Sequence, residues 1–228
     1  MSDSALVIFD IDGTLLQAHL ITVPAVQRTF ADYGLPIPDA EGIVSFFGRP
    51  VEEYHAWLAE RCPPDLSDEV IQATDKRELE LIGTEGELYP GVVDALTRLR
   101  YQGHVTASCS NGPEDYVDEA LDAHGLRPLF DVSLCRGMGY ESKGEMVRRI
   151  MAQYGLSDGE PGFGSRIAVV VGDRRDDVTA AHENGAFAIG AAYGFGSQEE
   201  LAGADATVDE PCAIPDAVDA LLERRGAP

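Results

Sequence analysis

The chain has 228 residues, of which 44% are apolar, and its formal net charge is −23 at pH 7. This size and composition predict a folded protein with one hydrophobic core, or a core that carries an inserted smaller unit. The negative charge excludes nucleic acid and anionic membrane surfaces as partners, because both need clustered Lys and Arg, and no apolar run approaches the roughly 18 residues of a membrane span.

The first residues, "MSDS", lead directly into an apolar run without the basic start and apolar centre of a signal peptide. We therefore expect a cytoplasmic protein; the sequence leaves open whether it is a monomer or a homodimer. The cysteines show no CxxC spacing, which favours buried free thiols over disulfides or a zinc site: Cys62, Cys109, Cys135 and Cys212.

Six short apolar segments predict strands, in chain order "ALVIFD", "HVTASCS", "FDVSLC", "RIAVVVGD", "GAFAIGAAY" and "DATVD". Helical patterns that end at a capping glycine separate them, namely "PGVVDALTRLRYQG", "PEDYVDEALDAHG", "KGEMVRRIMAQYG" and "DDVTAAHENG". The stretches "EPGFGSR" and "YGFGSQEE" are predicted loops. This alternation predicts an α/β fold with a doubly wound parallel sheet, in which ligands bind at the carboxyl ends of the strands.

Residues 17–82 interrupt this alternation with helical patterns alone, among them "TVPAVQRTFADYG", "RPVEEYHAWLAER" and "LSDEVIQATDKRELELIG". The last of these is predicted to begin at an N-cap, Ser67. We therefore predict a helical insert at 17–82 and an α/β core formed by 1–16 and 83–228.

Two carboxylates, Asp10 and Asp12, stand at the end of the first predicted strand and are followed by Gly13. Residues two apart on a strand point to the same side, so both acids lean into one small volume. Two like charges so close require a cation, a shared proton, or a division of labour between a nucleophile and an acid.

The other predicted strands also end in polar residues. Ser110 and Asn111 follow the second strand, and Ser108 lies on the same side as Ser110, so that only the adjacent Asn111 favours Ser110. The fourth strand ends in a cluster of acids: Asp173, Asp176 and Asp177. Together with Asp10 and Asp12, these residues offer a nucleophile, a hydroxyl donor and oxygen ligands suited to a hard metal ion.

Lys143, after the third strand, is one of only two lysines in a chain with fifteen arginines. Its place at the start of a helix opposes the helix dipole, which favours a functional reason for a compact ammonium over a solvated surface position.

In order and spacing, these segments resemble the four motifs of the haloacid dehalogenase-like hydrolase superfamily: "DIDGT", Ser110 before Asn111, Lys143, and "GDRRDD". The helical insert stands where that superfamily carries an α-helical cap. The segments "YPGVVDALTRLRYQG" and "VVVGDRRDDVTAAHENGAFAIGAAYGFGSQEEL" are similar to its phosphoglycolate phosphatase branch. The resemblance implies a Rossmann-like core and a phosphatase of small phosphorylated metabolites, with 2-phosphoglycolate as the best single guess.

The resemblance also implies the role of each residue. Asp10 attacks phosphorus to form an aspartyl-phosphate, and Asp12 protonates the leaving alkoxide and later activates water. Ser110, Lys143, Asn111 and the amides around Gly13 bind phosphoryl oxygens. Mg²⁺ is held by Asp10, the backbone carbonyl of Asp12, Asp173 and a second acid of the fourth motif, for which Asp177 fits better than Asp176.

Arg49, in the glycine-flanked turn "FFGRP" of the insert, is expected either to contact the substrate or to be a surface arginine. Arg174 and Arg175 are expected to pair with neighbouring acids. The histidines lack metal-ligand spacing and are expected at surface or core positions: His19, His55, His104, His124 and His182.

Two other functions share these motifs: a phosphosugar mutase of the β-phosphoglucomutase kind, and a catalytically silent phosphometabolite-binding protein. A dehalogenase is disfavoured because carbon–halogen cleavage needs no leaving-group acid such as Asp12. A Rossmann dehydrogenase is disfavoured because no GxGxxG follows the first strand.

Overall fold

A six-stranded parallel sheet forms the centre of the protein, whose computed structural model describes residues 4–156 and 167–226. The strand order is β3-β2-β1-β4-β5-β6. The strands are β1 (Ala5–Phe9), β2 (Val105–Ser110), β3 (Val132–Cys135), β4 (Ile167–Gly172), β5 (Phe187–Ala191) and β6 (Ala206–Val208). All six predicted strands are confirmed, and the sheet order changes direction beside β1, so the carboxyl ends of β1, β2 and β4 are neighbours.

Helices cover both faces of the sheet, which confirms the doubly wound fold. The side chains of β1 alternate between the faces: Ala5, Val7 and Phe9 belong to one apolar cluster, and Leu6 and Ile8 belong to another. The first cluster packs against α5 (Val92–Tyr101), α6 (Glu114–Ala123) and α10 (Ile214–Gly226), and the second against α7 (Lys143–Gln153), α8 (Arg175–Glu183) and α9 (Gln198–Leu201). Because both faces of β1 are buried, its residues form a continuous apolar run.

The helices α5, α6, α7 and α8 are each followed, one residue after the C-cap, by a glycine with positive φ: Gly103, Gly125, Gly155 and Gly185. The predicted helix ends are thus confirmed. The predicted loop "EPGFGSR" lies within residues 157–166, which are outside the described residues.

Residues 17–82 contain four helices and no strand, and the structure describes all of them. The helices are α1 (His19–Asp32), α2 (Ala40–Val44), α3 (Val51–Ala59) and α4 (Ser67–Ile82), of which the short α2 was not predicted. They share a separate apolar cluster that includes Val26, Phe30, Leu58 and Val70.

The predicted N-cap at Ser67 is wrong by one residue. Leu66 occupies the cap position without a side-chain cap, and Ser67 is the first helical residue, whose Oγ donates to the Pro64 carbonyl at 3.3 Å. A turn precedes the helix, in which Leu66 N donates to Pro63 O, and the helix therefore begins one residue earlier than predicted. All four cysteines are free, as expected, but only Cys109 and Cys135 are buried; Cys62 is half-buried and Cys212 is exposed. No described helix is long and apolar enough to cross a bilayer.

Candidate active site

The turn after β1 carries Asp10, which is buried, and Asp12, which is half-buried. It closes through Leu15 N and Leu16 N, which both donate to Ile11 O. Gly13 has φ +84°, and a Cβ at this position would lie 2.3 Å from Asp173 Oδ2. Only glycine therefore allows the β1 turn to lie against Asp173 at the end of β4.

Lys143 lies between two carboxylates of different strand ends. Its Nζ is 2.8 Å from Asp10 Oδ1 and 2.6 Å from Asp177 Oδ1, and the residue is 2% exposed. Ser142 caps the first turn of α7, because its side chain accepts from Glu145 N. Burial alone would lower the pKa of Lys143, but Asp10 and Asp177 raise it well above its usual value, so the ammonium keeps its charge.

Three buried carboxyl groups, those of Asp10, Asp173 and Asp177, each place an oxygen within 4.8 Å of the others. Asp173 Oδ2 accepts from Phe195 N at 2.7 Å, and Asp177 Oδ2 accepts from Arg174 N at 2.9 Å. Asp10 Oδ2 and Asp173 Oδ1 are buried and have no hydrogen-bond partner among residues 4–156 and 167–226. These two free oxygens belong to the hard donor type that binds Mg²⁺.

The charges of this cluster do not balance. Burial, with Asp177 adding to it, raises the pKa of Asp173 to about 7. Burial also raises the pKa of Asp10 well above its usual value, although Lys143 opposes the shift. One ammonium therefore does not compensate three carboxylates, and a divalent cation would supply the missing charge.

The acids at 176 and 177 face different neighbours. Asp177 is buried with Asp10, whereas Asp176 is exposed and accepts from Asn111 Nδ2 at 3.0 Å. The helix geometry of α8 separates these adjacent side chains. Of the two alternatives left open by the sequence, Asp177 is the one that lies in the acidic cluster.

Ser110 and Asn111 lie at the end of β2 beside Asp10. Ser110 Oγ accepts from Gly112 N at 3.1 Å. Asn111 Nδ2 also donates to the carbonyl of Gly48 in the insert, at 2.9 Å, so this amide ties the insert to the core. Ser108 is fully buried deeper in the strand and does not line the cavity above the strand ends.

A cavity of about 240 Å³ lies above the strand ends, between the insert and the core. Asp10, Asp12, Ser110 and Asn111 line its base, whereas Lys143, Asp173 and Asp177 are not among the lining residues. The insert supplies most of the opposite wall: Ala18, Thr22, Phe46, Phe47, Gly48, Arg49, Val51, Tyr54, His55, Asp75, Glu78 and Leu79. A space of this size fits a small molecule.

Arg49 lies at the wall of this cavity with its side chain 49% exposed. Its guanidinium packs on the Phe46 ring at 5.4 Å from the centroid and lies 3.7 Å from Glu53. It is thus a cavity residue and also partly a surface residue. Arg174 pairs with Glu200 at 3.0 Å, as expected.

Sequence reasoning missed two polar groups of the cavity. Tyr116 donates its hydroxyl to Asp12 Oδ1 at 2.9 Å, and Tyr54 donates to Glu78 Oε1 at 2.8 Å. Burial raises the pKa of Asp12 to about 6, and the bond from Tyr116 partly opposes this shift. Burial likewise raises the pKa of Glu78 to about 8. The signal for Glu78 was its position on the buried face of α4, with Val70, Thr74 and Leu81.

The histidines have different environments. His104 is buried, and its Nδ1 accepts from Ala5 N at 3.0 Å. His55 lines the cavity and pairs with Asp75 at 3.0 Å, which the sequence did not reveal because that contact joins α3 to α4.

A family model, described as haloacid dehalogenase-like hydrolase, matches residues 7–191. The chain belongs to this family. It is 30% identical over 195 residues to a phosphoglycolate phosphatase of Haemophilus influenzae (strain 86-028NP), covering 82% of this chain and 85% of the relative. It is 28% identical over 203 residues to a phosphoglycolate phosphatase of Pasteurella multocida (strain Pm70), covering 86% and 88%.

The fold is similar to the crystal structure of a predicted phosphoglycolate phosphatase from Haemophilus somnus, with a TM-score of 0.83, 22% identity, and coverage of 96% of this chain and 99% of that one. This haloacid dehalogenase-like hydrolase is a phosphatase that acts on phosphoric monoesters. The resemblance to the phosphoglycolate phosphatase branch is therefore confirmed.

Proposed function

We propose that the protein is a magnesium-dependent phosphatase that hydrolyses a small phosphorylated metabolite through an aspartyl-phosphate on Asp10. The observation that carries this proposal is the buried contact of Lys143 with both Asp10 and Asp177, directly below a cavity lined by Asp10 and Asp12. This contact supports the proposal because Asp10 as the nucleophile, Lys143 as the cation and Asp12 as the proton donor would then act on one phosphoryl group.

In the first step, the Asp10 carboxylate attacks phosphorus, and the bond between phosphorus and the ester oxygen breaks. Asp12 gives its proton to the leaving oxygen, for which a pKa of about 6 is suited near neutral pH. Lys143 and Ser110 stabilise the phosphoryl oxygens, and Gly13 and Asn111 complete their binding. An alcohol leaves, and a phosphoryl group stays on Asp10.

In the second step, Asp12, now ionised, takes a proton from water as the water oxygen attacks phosphorus. Inorganic phosphate forms, and the Asp10 carboxylate is regenerated. The proton that Asp12 gave to the alcohol is thereby replaced, so the cycle balances.

Mg²⁺ would be held by Asp10, the backbone carbonyl of Asp12, Asp173 and Asp177. The buried, unpartnered oxygens of Asp10 and Asp173 fit this ion. When bound, Mg²⁺ neutralises negative charge on the phosphoryl group and lets it approach the carboxylates.

We further propose that residues 17–82 act as a cap domain over a core formed by 1–16 and 83–228. The aromatic and aliphatic side chains that this insert contributes to the cavity would exclude water and large substrates.

We propose 2-phosphoglycolate as the first substrate to test, because two relatives are named as phosphoglycolate phosphatases. In addition, Arg49 is a cation on the cavity wall that can pair with the carboxylate of this substrate. The cytoplasmic location and the monomeric or dimeric state stay predictions.

The test measures phosphate release by the purified protein with Mg²⁺ from a panel of phosphate monoesters, together with the Asp10→Asn variant. We expect turnover by the native protein and at least a 10³-fold loss in Asp10→Asn, on the order of the cost of removing a nucleophile, because an amide is a poor nucleophile. Retained activity in a verified variant would remove Asp10 from its role.

The same experiment separates the rival functions. A phosphosugar mutase would hold the phosphoryl group on the enzyme until a sugar phosphate accepts it, so single-turnover phosphate release would be slow without added sugar phosphate. A silent binding protein would release no phosphate from any monoester, including an aryl phosphate.

A further inference from the structure

Tyr116 lies outside the four motifs, in the first turns of α6, yet it contacts a residue of the β1 turn 104 positions away. Its hydroxyl donates to Asp12 Oδ1 at 2.9 Å. The residue is 6% exposed, and its ring belongs to the core cluster on the α5, α6 and α10 face of the sheet. The ring is held by packing, so the phenol presents its hydrogen from a fixed direction.

The carboxyl group of Asp12 needs a hydrogen bond that fixes its orientation. Asp12 is half-buried at the edge of the cavity, and among the described residues its carboxyl group accepts a side-chain hydrogen bond from Tyr116. A carboxyl group that can rotate presents either oxygen, or neither, to the leaving oxygen of the substrate. Misplacement by about 1 Å is enough to cost roughly 10²-fold in rate.

We propose that Tyr116 is the positioning residue for Asp12, and this inference rests on the proposed function. The phenol hydrogen occupies Oδ1, which leaves the proton of the acid on Oδ2. That Oδ2 proton passes to the ester oxygen as the bond to phosphorus breaks. Tyr116 keeps its own proton and its bond to Oδ1, so the same Oδ2 is free to accept a proton from water in the second step.

The alternative is that the bond only satisfies a buried phenol, as buried tyrosines usually require. The two roles differ in how the effect depends on the leaving group. An alkyl alkoxide needs a proton from Asp12, whereas an aryl oxide such as p-nitrophenolate leaves without one. A positioning role therefore affects alkyl substrates selectively, and a structural role affects both substrates alike.

The experiment measures kcat and KM of Tyr116→Phe with an alkyl phosphate, glycerol 1-phosphate or 2-phosphoglycolate, and with p-nitrophenyl phosphate. We expect kcat for the alkyl substrate to fall by about 10- to 100-fold, because misplacing the acid forfeits part of the roughly 10²–10⁴-fold that general acid catalysis contributes. The KM and the rate with p-nitrophenyl phosphate should change by less than about threefold.

Tyr193→Phe is the matched control. Tyr193 also donates its hydroxyl over 2.9 Å, but to the backbone carbonyl of Thr14 rather than to a carboxyl group. Its loss should change both substrates by the same factor, so the ratio of their rates stays that of the native protein.

A double-mutant cycle with Asp12 provides a second, independent test. In an Asp12→Ala background, adding Tyr116→Phe should cost nothing further in alkyl turnover if Tyr116 acts through Asp12. An equal loss on both substrates, or full additivity in the double variant, would overturn the positioning role while leaving the proposed phosphatase intact. Absence of turnover by the native protein on every substrate would instead reject the proposed function.

Discussion

Lys143 shows at the scale of a residue why charge alone does not describe a site. Its Nζ lies 2.8 Å from Asp10 and 2.6 Å from Asp177, and all three side chains are buried. A compact ammonium fits between two oxygens, whereas a guanidinium is wider and spreads its charge over a plane.

We expect Lys143→Arg to lower kcat by at least about 10²-fold, comparable to the loss of a preorganised donor to the transition state. Overpacking of the buried site should also lower stability by roughly 1–3 kcal/mol. Steady-state kinetics and thermal melting measure the two effects. Lys76→Arg is the control, since Lys76 is the other lysine and its side chain is 79% exposed. Near-normal kinetics in Lys143→Arg would show that any positive charge suffices there.

At the scale of an element, β1 is fixed at its start by a histidine. His104 precedes β2, and its Nδ1 accepts from Ala5 N, the first residue of β1, at 3.0 Å. An acceptor at Nδ1 requires a neutral ring whose single N–H proton is on Nε2. Burial lowers the pKa of His104 below its usual value, although Asp219 partly opposes the shift.

The sign of the pH dependence follows from this lowered pKa. Below the unfolded-state value of roughly 6.5, the unfolded chain binds a proton that the folded protein resists, so stability falls as the pH decreases through that value. His104→Asn keeps an acceptor oxygen but cannot titrate. Between pH 7.5 and 5.5, the free energy of unfolding should therefore fall more in the native protein than in the variant, as measured by urea denaturation. Parallel losses in both proteins would contradict this account of His104.

Asn111 and Gly48 form a contact between the insert and the core. Asn111 at the end of β2 donates to Gly48 O of the insert and to Asp176 of α8. Gly48 has φ +79°, and a Cβ there would lie 2.7 Å from Arg174 Cγ. The insert therefore meets the core through a glycine turn that contacts Asn111 at the end of β2 and lies against Arg174.

The whole molecule carries a net charge of −23 and concentrates several uncompensated carboxylates in one buried cluster. Binding of a cation there stabilises the folded state alone, because the unfolded chain has no assembled cluster. Metal binding should thus be measurable as an increase in the free energy of unfolding, independently of turnover.

At a Mg²⁺ concentration about 100 times Kd, binding contributes roughly 2.7 kcal/mol. For a chain of this length, this corresponds to a Tm increase of roughly 5–10 °C. NaCl at the same ionic strength is the control, because screening of the acidic surface also stabilises. The Asp173→Asn variant should lose the part of the Tm increase that is specific to Mg²⁺. An equal Tm rise with both salts in the native protein would argue against a metal at Asp10, Asp173 and Asp177.

Local sequence patterns were sufficient to predict the strands, the parallel fold and the strand ends that carry the candidate site. An apolar, β-branched run such as "RIAVVVGD" is typical of a strand buried on both faces, and polar residues at strand ends meet at one edge of a parallel sheet. Asp10, Asp12, Ser110, Asn111, Lys143 and Asp173 could therefore be named from local patterns. The choice between Asp176 and Asp177 could not, because it depends on the direction in which α8 leaves β4.

Tertiary structure decided the contacts between residues far apart in the chain. The sequence does not indicate the hydrogen bond from Tyr116 to Asp12, because the position of Tyr116 in α6 is that of an ordinary core residue. The pairs Tyr54 with Glu78 and His55 with Asp75 arise only when α3 packs on α4. Local patterns record the preferences of the backbone and the burial of each face, whereas the partner of a polar side chain depends on how distant elements pack.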